Sequence, residues 1–149
     1  MLYGVDTTFL VQLEILEAPG HAAATRWLDT MLSRHDQPLA LAPQVLTEFV
    51  HATTDPKRFV RPLTIEQAVE RAQHWWESVE VRPTYPTLDS TRLTLSWLRQ
   101  HRLGRKRLLD TQLAATYYAA GIGRLLTLNA ADFSVFGVFQ IETIDYARA

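Results

Sequence analysis

Five short apolar runs alternate with longer helical patterns along this chain, and that alternation restricts its architecture more than any other feature. The runs cover residues 2–5, 38–42, 80–84, 124–128 and 138–144. Each has strand length, and several are rich in Val, Ile, Leu and Tyr. Between them, apolar spacing of helical period predicts helices over 9–17, 21–33, 43–54, 65–79, 88–103 and 109–120. Local signals mark the ends. Asp6-Thr7-Thr8 offers three good N-caps in a row, Pro19-Gly20 stops a helix, and Pro43 suits a first turn, where its missing N–H loses nothing. Thr64 with Gln67 matches a capping box, while Gly104 and Gly121 are expected helix terminators. Residues 129–132 read as a turn. Strands separated by helices predict an α/β fold, a parallel, twisted sheet of four or five strands covered by helices on both sides. The last run alternates apolar and polar residues, as an edge strand does. No repeat, low-complexity tract or Gly/Ser linker interrupts the 149 residues, so one domain over 1–149 is expected.

The sequence contains no cysteine, which excludes a disulfide framework, a thiolate metal site and a cysteine nucleophile, and fits a reducing, cytoplasmic setting. No apolar run reaches membrane-spanning length, and the first residues lack the basic start and apolar stretch of a signal peptide. Net charge is only −1, but it is unevenly spread. Of 15 Lys and Arg, five (Arg99, Arg102, Arg105, Lys106 and Arg107) fall between residues 99 and 107 with no acid among them. The remaining chain is distinctly acidic. A basic segment on an acidic body is either a solvated helix end or a phosphate-binding site.

In a parallel sheet the functional crevice lies beyond the C-terminal ends of the strands, at the point where strand order reverses. The candidates are therefore the polar residues just past each strand. Asp6 ends the first run, Glu48 lies within the helix after the second, Asp110 opens the helix after the basic segment, and Asn129 and Asp132 follow the fourth. Asp6 could simply cap its helix, Glu48 falls at the border of an apolar stripe, and Asp132 has the look of a turn residue. Asp110 is different. With about 3.6 residues per turn, it falls beside Leu113, Ala114 and Tyr117, on the inward face, where a carboxylate needs a cation or hydrogen bonds. Several carboxylates at one crevice, with no cysteine and no paired histidines, point to a hard divalent cation, Mg2+ or Mn2+. Such a site suits phosphodiester cleavage, with the neighbouring basic segment binding adjacent phosphates.

These residues resemble the PIN domain, and within it the VapC-type toxin ribonucleases of bacterial toxin–antitoxin pairs. The resemblance runs over essentially the whole chain. Val5-Asp6-Thr7-Thr8-Phe9-Leu10 is similar to the first family motif and Val45-Leu46-Thr47-Glu48-Phe49-Val50 to the second. The third is matched by Asp110-Thr111-Gln112-Leu113-Ala114-Ala115-Thr116, and the fourth by residues 125–133. Each is weak alone; four in order are specific. The resemblance implies a PIN-like three-layer α/β/α sandwich and a Mg2+- or Mn2+-dependent endoribonuclease. It implies Asp6, Glu48 and Asp110 as metal ligands, Asp132 as a further catalytic acid, and support from Asn129 and Thr127. It implies a homodimer and a cognate VapB-type antitoxin, while the charge of the basic segment just before Asp110 makes Arg99, Arg102, Arg105, Lys106 and Arg107 the expected RNA contacts. One departure stands out: many members carry Asp where this chain has Asn129, so either Asn129 or Asp132 completes the site.

Other features carry less. The five histidines show no metal-ligand pairing, and the tryptophans lie in helical stretches, as packing residues do. Gly121-Ile122-Gly123 precedes a strand, the wrong context for a dinucleotide fingerprint. The alternatives are a non-cleaving RNA-binding protein on the same fold, prompted by Asn129, and a strand-end-Asp phosphatase. The phosphatase is disfavoured by Thr8, where a second Asp is commonly needed.

Overall fold

In a computed structural model, which describes residues 1–144, each of the five apolar runs contributes three residues of strand. These are β1 (Tyr3–Val5), β2 (Leu39–Leu41), β3 (Val81–Pro83), β4 (Arg124–Leu126) and β5 (Gln140–Glu142). They form one sheet of order β3-β2-β1-β4-β5, and every neighbouring pair is parallel. The helices are α1 (Thr7–Glu14), α2 (His21–Leu32), α3 (Pro43–Thr53), α4 (Ile65–Glu77), α5 (Leu88–His101), α6 (Leu108–Ala119) and α7 (Ala130–Ser134). The chain builds outward from β1 through β2 to β3, then returns to place β4 and β5 on the other side. The switch point thus falls between β1 and β4, and a ligand crevice is expected beyond their C-terminal ends.

The buried core is nearly continuous. β1 and β2 are buried along their whole length, as central parallel strands are, and Phe9, Phe49, Tyr117, Leu126 and Phe133 are sealed beneath the helices. Three tryptophans act as packing residues. Trp27 stands edge-on to Tyr3 and Phe9, and its Nε1 donates to Glu142 Oε1 at 2.7 Å. Trp97 stacks on Phe136 with ring centroids 4.7 Å apart. Trp75 Nε1 donates to Glu14 Oε1 at 2.5 Å. No described helix is long and apolar enough to cross a membrane.

The expected boundaries shift where tertiary contacts outweigh local signals. Helix α1 ends at Glu14 rather than residue 17, because buried Gln12 draws the chain back: its Oε1 accepts from Gly20 N–H at 2.7 Å. Helix α5 stops before Gly104. Arg102 takes the left-handed conformation (φ 51°), and Leu103 N–H reaches back to Leu98 C=O at 3.3 Å, turning half-buried Leu103 onto the core. The basic segment continues as a 3-10 turn, Arg105–Arg107. The turn expected at 129–132 is instead the entry to α7, which is held by burial of Phe133 and Phe136. The Thr64–Gln67 capping box forms as expected.

Candidate active site

Asp6 emerges from the central strand and is 8% exposed. It does cap α1, accepting from Phe9 N–H at 3.2 Å, but capping uses only part of its capacity. Thr8 Oγ1 donates to Asp6 Oδ1 at 2.6 Å, and Thr127 Oγ1 donates to Asp6 Oδ2. Both hydroxyls are themselves oriented by the loop after β4: Thr8 Oγ1 accepts from Leu128 N–H and Thr127 Oγ1 from Asn129 N–H, each at 3.0 Å. The carboxylate is thus fixed across the β1/β4 switch point by residues about 120 positions apart. Thr7 points elsewhere, donating to Glu48 Oε2 at 2.7 Å and holding that half-buried glutamate toward β1.

Glu48 stands on α3 one turn after Gln44, whose Nε2 donates to Leu109 C=O at 3.0 Å and lies 3.5 Å from Glu48 Oε1. Gln44 therefore ties α3 to the start of α6, where Asp110 sits in the first turn. Across from it, α7 brings Asp132. Arg107 lies between the two acids: its Nε is 3.9 Å from Asp110 Oδ2, and its Nη1 is 3.5 Å from Asp132 Oδ1. Its Nη2 also donates to Asp132 C=O, while its Nε is buried without a hydrogen-bond partner.

The electrostatics show that these acids share one region. Burial pushes the Asp6 carboxyl up to about 6, against the hydrogen bonds from Thr127, Thr8 and Phe9, and the charge of Asp110 adds to the rise. Burial and then the charge of Asp132 raise Asp110 to about 6; Arg107 pulls the other way, and Glu48 adds to the rise. Carboxylates from β1, α3 and α7 thus each interact with Asp110 on α6, and one guanidinium lies between Asp110 and Asp132. Among the described residues no three His, Asp or Glu are grouped closely enough to hold an ion as they stand. The donor set nevertheless fits a hard cation: it is all oxygen, its acids repel one another, and a cationic side chain already fills the gap between two of them.

The raised values have a consequence for the metal-free protein. A carboxyl with a folded-state value near 6 keeps its proton at pH 5, where the unfolded chain has lost it. Stability therefore falls as pH rises from about 4 to about 6 and stays lower above that. Thermal melting in chelator is expected to show this fall, and Asp110→Asn to flatten it. An unchanged slope in that variant would contradict the shared field.

No protein-family model matches the chain. Ribonuclease VapC24 of Mycobacterium tuberculosis is 27% identical over 145 residues, spanning 94% of each chain. VapC20 of M. tuberculosis, a sarcin-ricin loop cleaving toxin, superposes with a TM-score of 0.67 at 22% identity, over 91% of this chain and 95% of that one. VapC-containing VapBC2 of Rickettsia felis, solved on a promoter DNA fragment, gives 0.68 at 17% identity, over 97% and 100%. The chain is thus similar over nearly its whole length to a VapC ribonuclease, and it shares the fold of the VapC toxins.

On this PIN-like fold the residues flanking the acids divide into two groups. Arg99, Arg102, Arg105 and Lys106 are exposed, whereas Arg107 is half-buried and engaged with Asp110 and Asp132. Asn129 is exposed and makes no capping bond to α7, and Asp132 is the residue coupled to Asp110. Sequence reasoning missed Thr7, Thr8 and Gln44 as supports for the acids. Of these only Gln44 left a trace, its i,i+4 spacing to Glu48 on one helix face.

Proposed function

We propose that this PIN domain is a metal-dependent endoribonuclease, the toxic member of a toxin–antitoxin pair. The observation that carries the reading is the convergence of Asp6, Glu48, Asp110 and Asp132 at the β1/β4 switch point with Arg107 as the cation among them. The near-full-length likeness to Ribonuclease VapC24 supports it. Asp6, Glu48 and Asp110 would hold Mg2+ or Mn2+, with Asp132 as the further acid and Asn129 and Thr127 in support. Held by these residues, such an ion would supply Lewis acidity toward a water and the scissile phosphate.

The chain's own residues do the rest. Thr8 and Thr127 fix both oxygens of Asp6, so its lone pairs need no reorganisation when charge accumulates at the crevice. Thr7 and Gln44 hold Glu48 in the same way, and Arg107 restrains Asp132 by both side chain and backbone. The exposed cations Arg99, Arg102, Arg105 and Lys106 would bind phosphates on either side of the cleaved bond and offset the repulsion between RNA and the acids. Structural neighbours that are toxin–antitoxin complexes support a VapB-type antitoxin as partner, and the homodimer expected for the family belongs to the same proposal.

Cleavage of a single-stranded RNA with Mg2+ or Mn2+, followed by mapping of the new ends, tests the proposal. Attack by water is expected to leave a 5′-phosphate and a 3′-hydroxyl, with activity lost in chelator. A 2′,3′-cyclic phosphate would make the ribose hydroxyl the nucleophile, and cleavage undiminished by chelator would remove the metal from the proposal.

A further inference from the structure

We infer that Arg58 and Asn129 form a second phosphate-binding subsite beside Asp6, which takes the RNA backbone flanking the cleaved bond. This rests on the ribonuclease reading above. A small cleft there is lined by Thr8, Val11, Gln12, Arg58, Leu128 and Asn129. It lies next to Asp6 through shared hydrogen bonds: Thr8 bonds Asp6, and Leu128 and Asn129 donate to the hydroxyls that hold it.

Most polar groups of the cleft are committed. Gln12 Oε1 accepts from Gly20 N–H, and Thr8 Oγ1 both donates and accepts. Two are not. Among the described residues the Arg58 guanidinium has no carboxylate within 4.0 Å, and the Asn129 side chain caps nothing. A cation and an amide left without internal partners, in a cleft lined by the residues that hold Asp6, suit a phosphate and the sugar or base beside it.

The loop carrying Arg58 is held firmly, although it has no regular structure. Asp55 Oδ1 accepts from Lys57 N–H at 2.8 Å, and Asp55 C=O accepts from Arg58 N–H at 3.1 Å. Glu17 clamps the far side, its two oxygens accepting from Val60 N–H at 2.8 Å and Arg61 N–H at 3.2 Å. Leu63 N–H donates to Thr53 C=O at 2.9 Å, and Phe59 packs against the core. With the loop backbone already ordered, binding an anion costs the ordering of the Arg58 side chain and not that of the loop. Arg58 lies far in sequence from the 99–107 segment, so the two place positive charge on separate elements around the acids.

The test is binding of a labelled single-stranded RNA, followed by fluorescence anisotropy over a salt series in chelator so that nothing is cut. Arg58→Gln is expected to weaken binding about tenfold and to reduce the slope of log K against log salt by about 0.7, the loss of one phosphate contact. Arg58→Lys should restore most of the slope. Asn129→Ala should weaken binding with the slope unchanged. Arg124→Gln, at the start of β4 and the opposite end of the sheet, should change neither. In cleavage assays Arg58→Gln should raise KM and leave kcat. Wild-type affinity and slope in Arg58→Gln overturns the subsite alone; if antitoxin capture falls instead, Arg58 belongs to the protein partner. A parent chain that binds no RNA overturns the ribonuclease reading together with the subsite.

Discussion

Asp110→Asn is expected to reduce RNA cleavage by roughly 10^3-fold or more while leaving the fold intact, which corresponds to about 4 kcal/mol of lost transition-state stabilisation. Asparagine has nearly the shape of aspartate, so the packing of α6 against the core is preserved. What changes is charge. Asp110 is the acid that feels Asp132 and Glu48 and that in turn raises Asp6, so it sits at the centre of the cluster's field. Removing its charge weakens the cluster's attraction for a divalent cation at the point where the acids meet. The same change relieves repulsion in the metal-free protein, so above pH 6 the variant should melt at a higher temperature than the parent. A loss of activity combined with a gain of stability distinguishes a functional acid from a structural one, whose removal lowers both. Full activity in Asp110→Asn would remove this carboxylate from the site.

How far the site could be read from sequence depended on the range of the interactions that build it. Asp6 and Asp110 were legible because strand-end position and the inward face of a helix are local properties. Glu48 was legible mainly through the resemblance, since its place at the border of an apolar stripe also fits an ordinary surface glutamate. The supports of these acids were not legible. Thr7 and Thr8 are adjacent and chemically alike, yet one turns to α3 and the other to Asp6 and the loop after β4. That choice is set by partners about 40 and 120 positions away. Arg107 belongs by composition with its basic neighbours, and only the 3-10 turn together with α7 brings it against Asp110 and Asp132. Helix α7 itself spans five residues, too few to show a helical period. Arg58 carried no signal at all, being one exposed arginine in an irregular loop.

Gly4→Ala is expected to destabilise the protein by about 2–4 kcal/mol, read from chemical denaturation, because the added methyl group has no room. A Cβ at this position would lie 2.6 Å from Tyr117 Cδ2, 2.8 Å from its Cγ and 2.9 Å from Leu125 Cδ2. None of these neighbours yields easily. Tyr117 is fully buried, and its hydroxyl donates to Val5 C=O at 2.5 Å and accepts from Ala42 N–H at 3.2 Å, bracing the ring against two strands. Strand β1 is hydrogen-bonded on both sides and cannot shift without breaking the sheet. Relief therefore has to come from α6 moving outward. Asp110 lies seven residues before Tyr117, two turns along the same face of that helix, while Asp6 lies two residues after Gly4. One methyl group thus changes the spacing between the two acids most strongly coupled to burial. Cleavage per folded molecule should fall along with stability in Gly4→Ala. A variant with parental stability would show that α6 does not rest on β1 through this glycine.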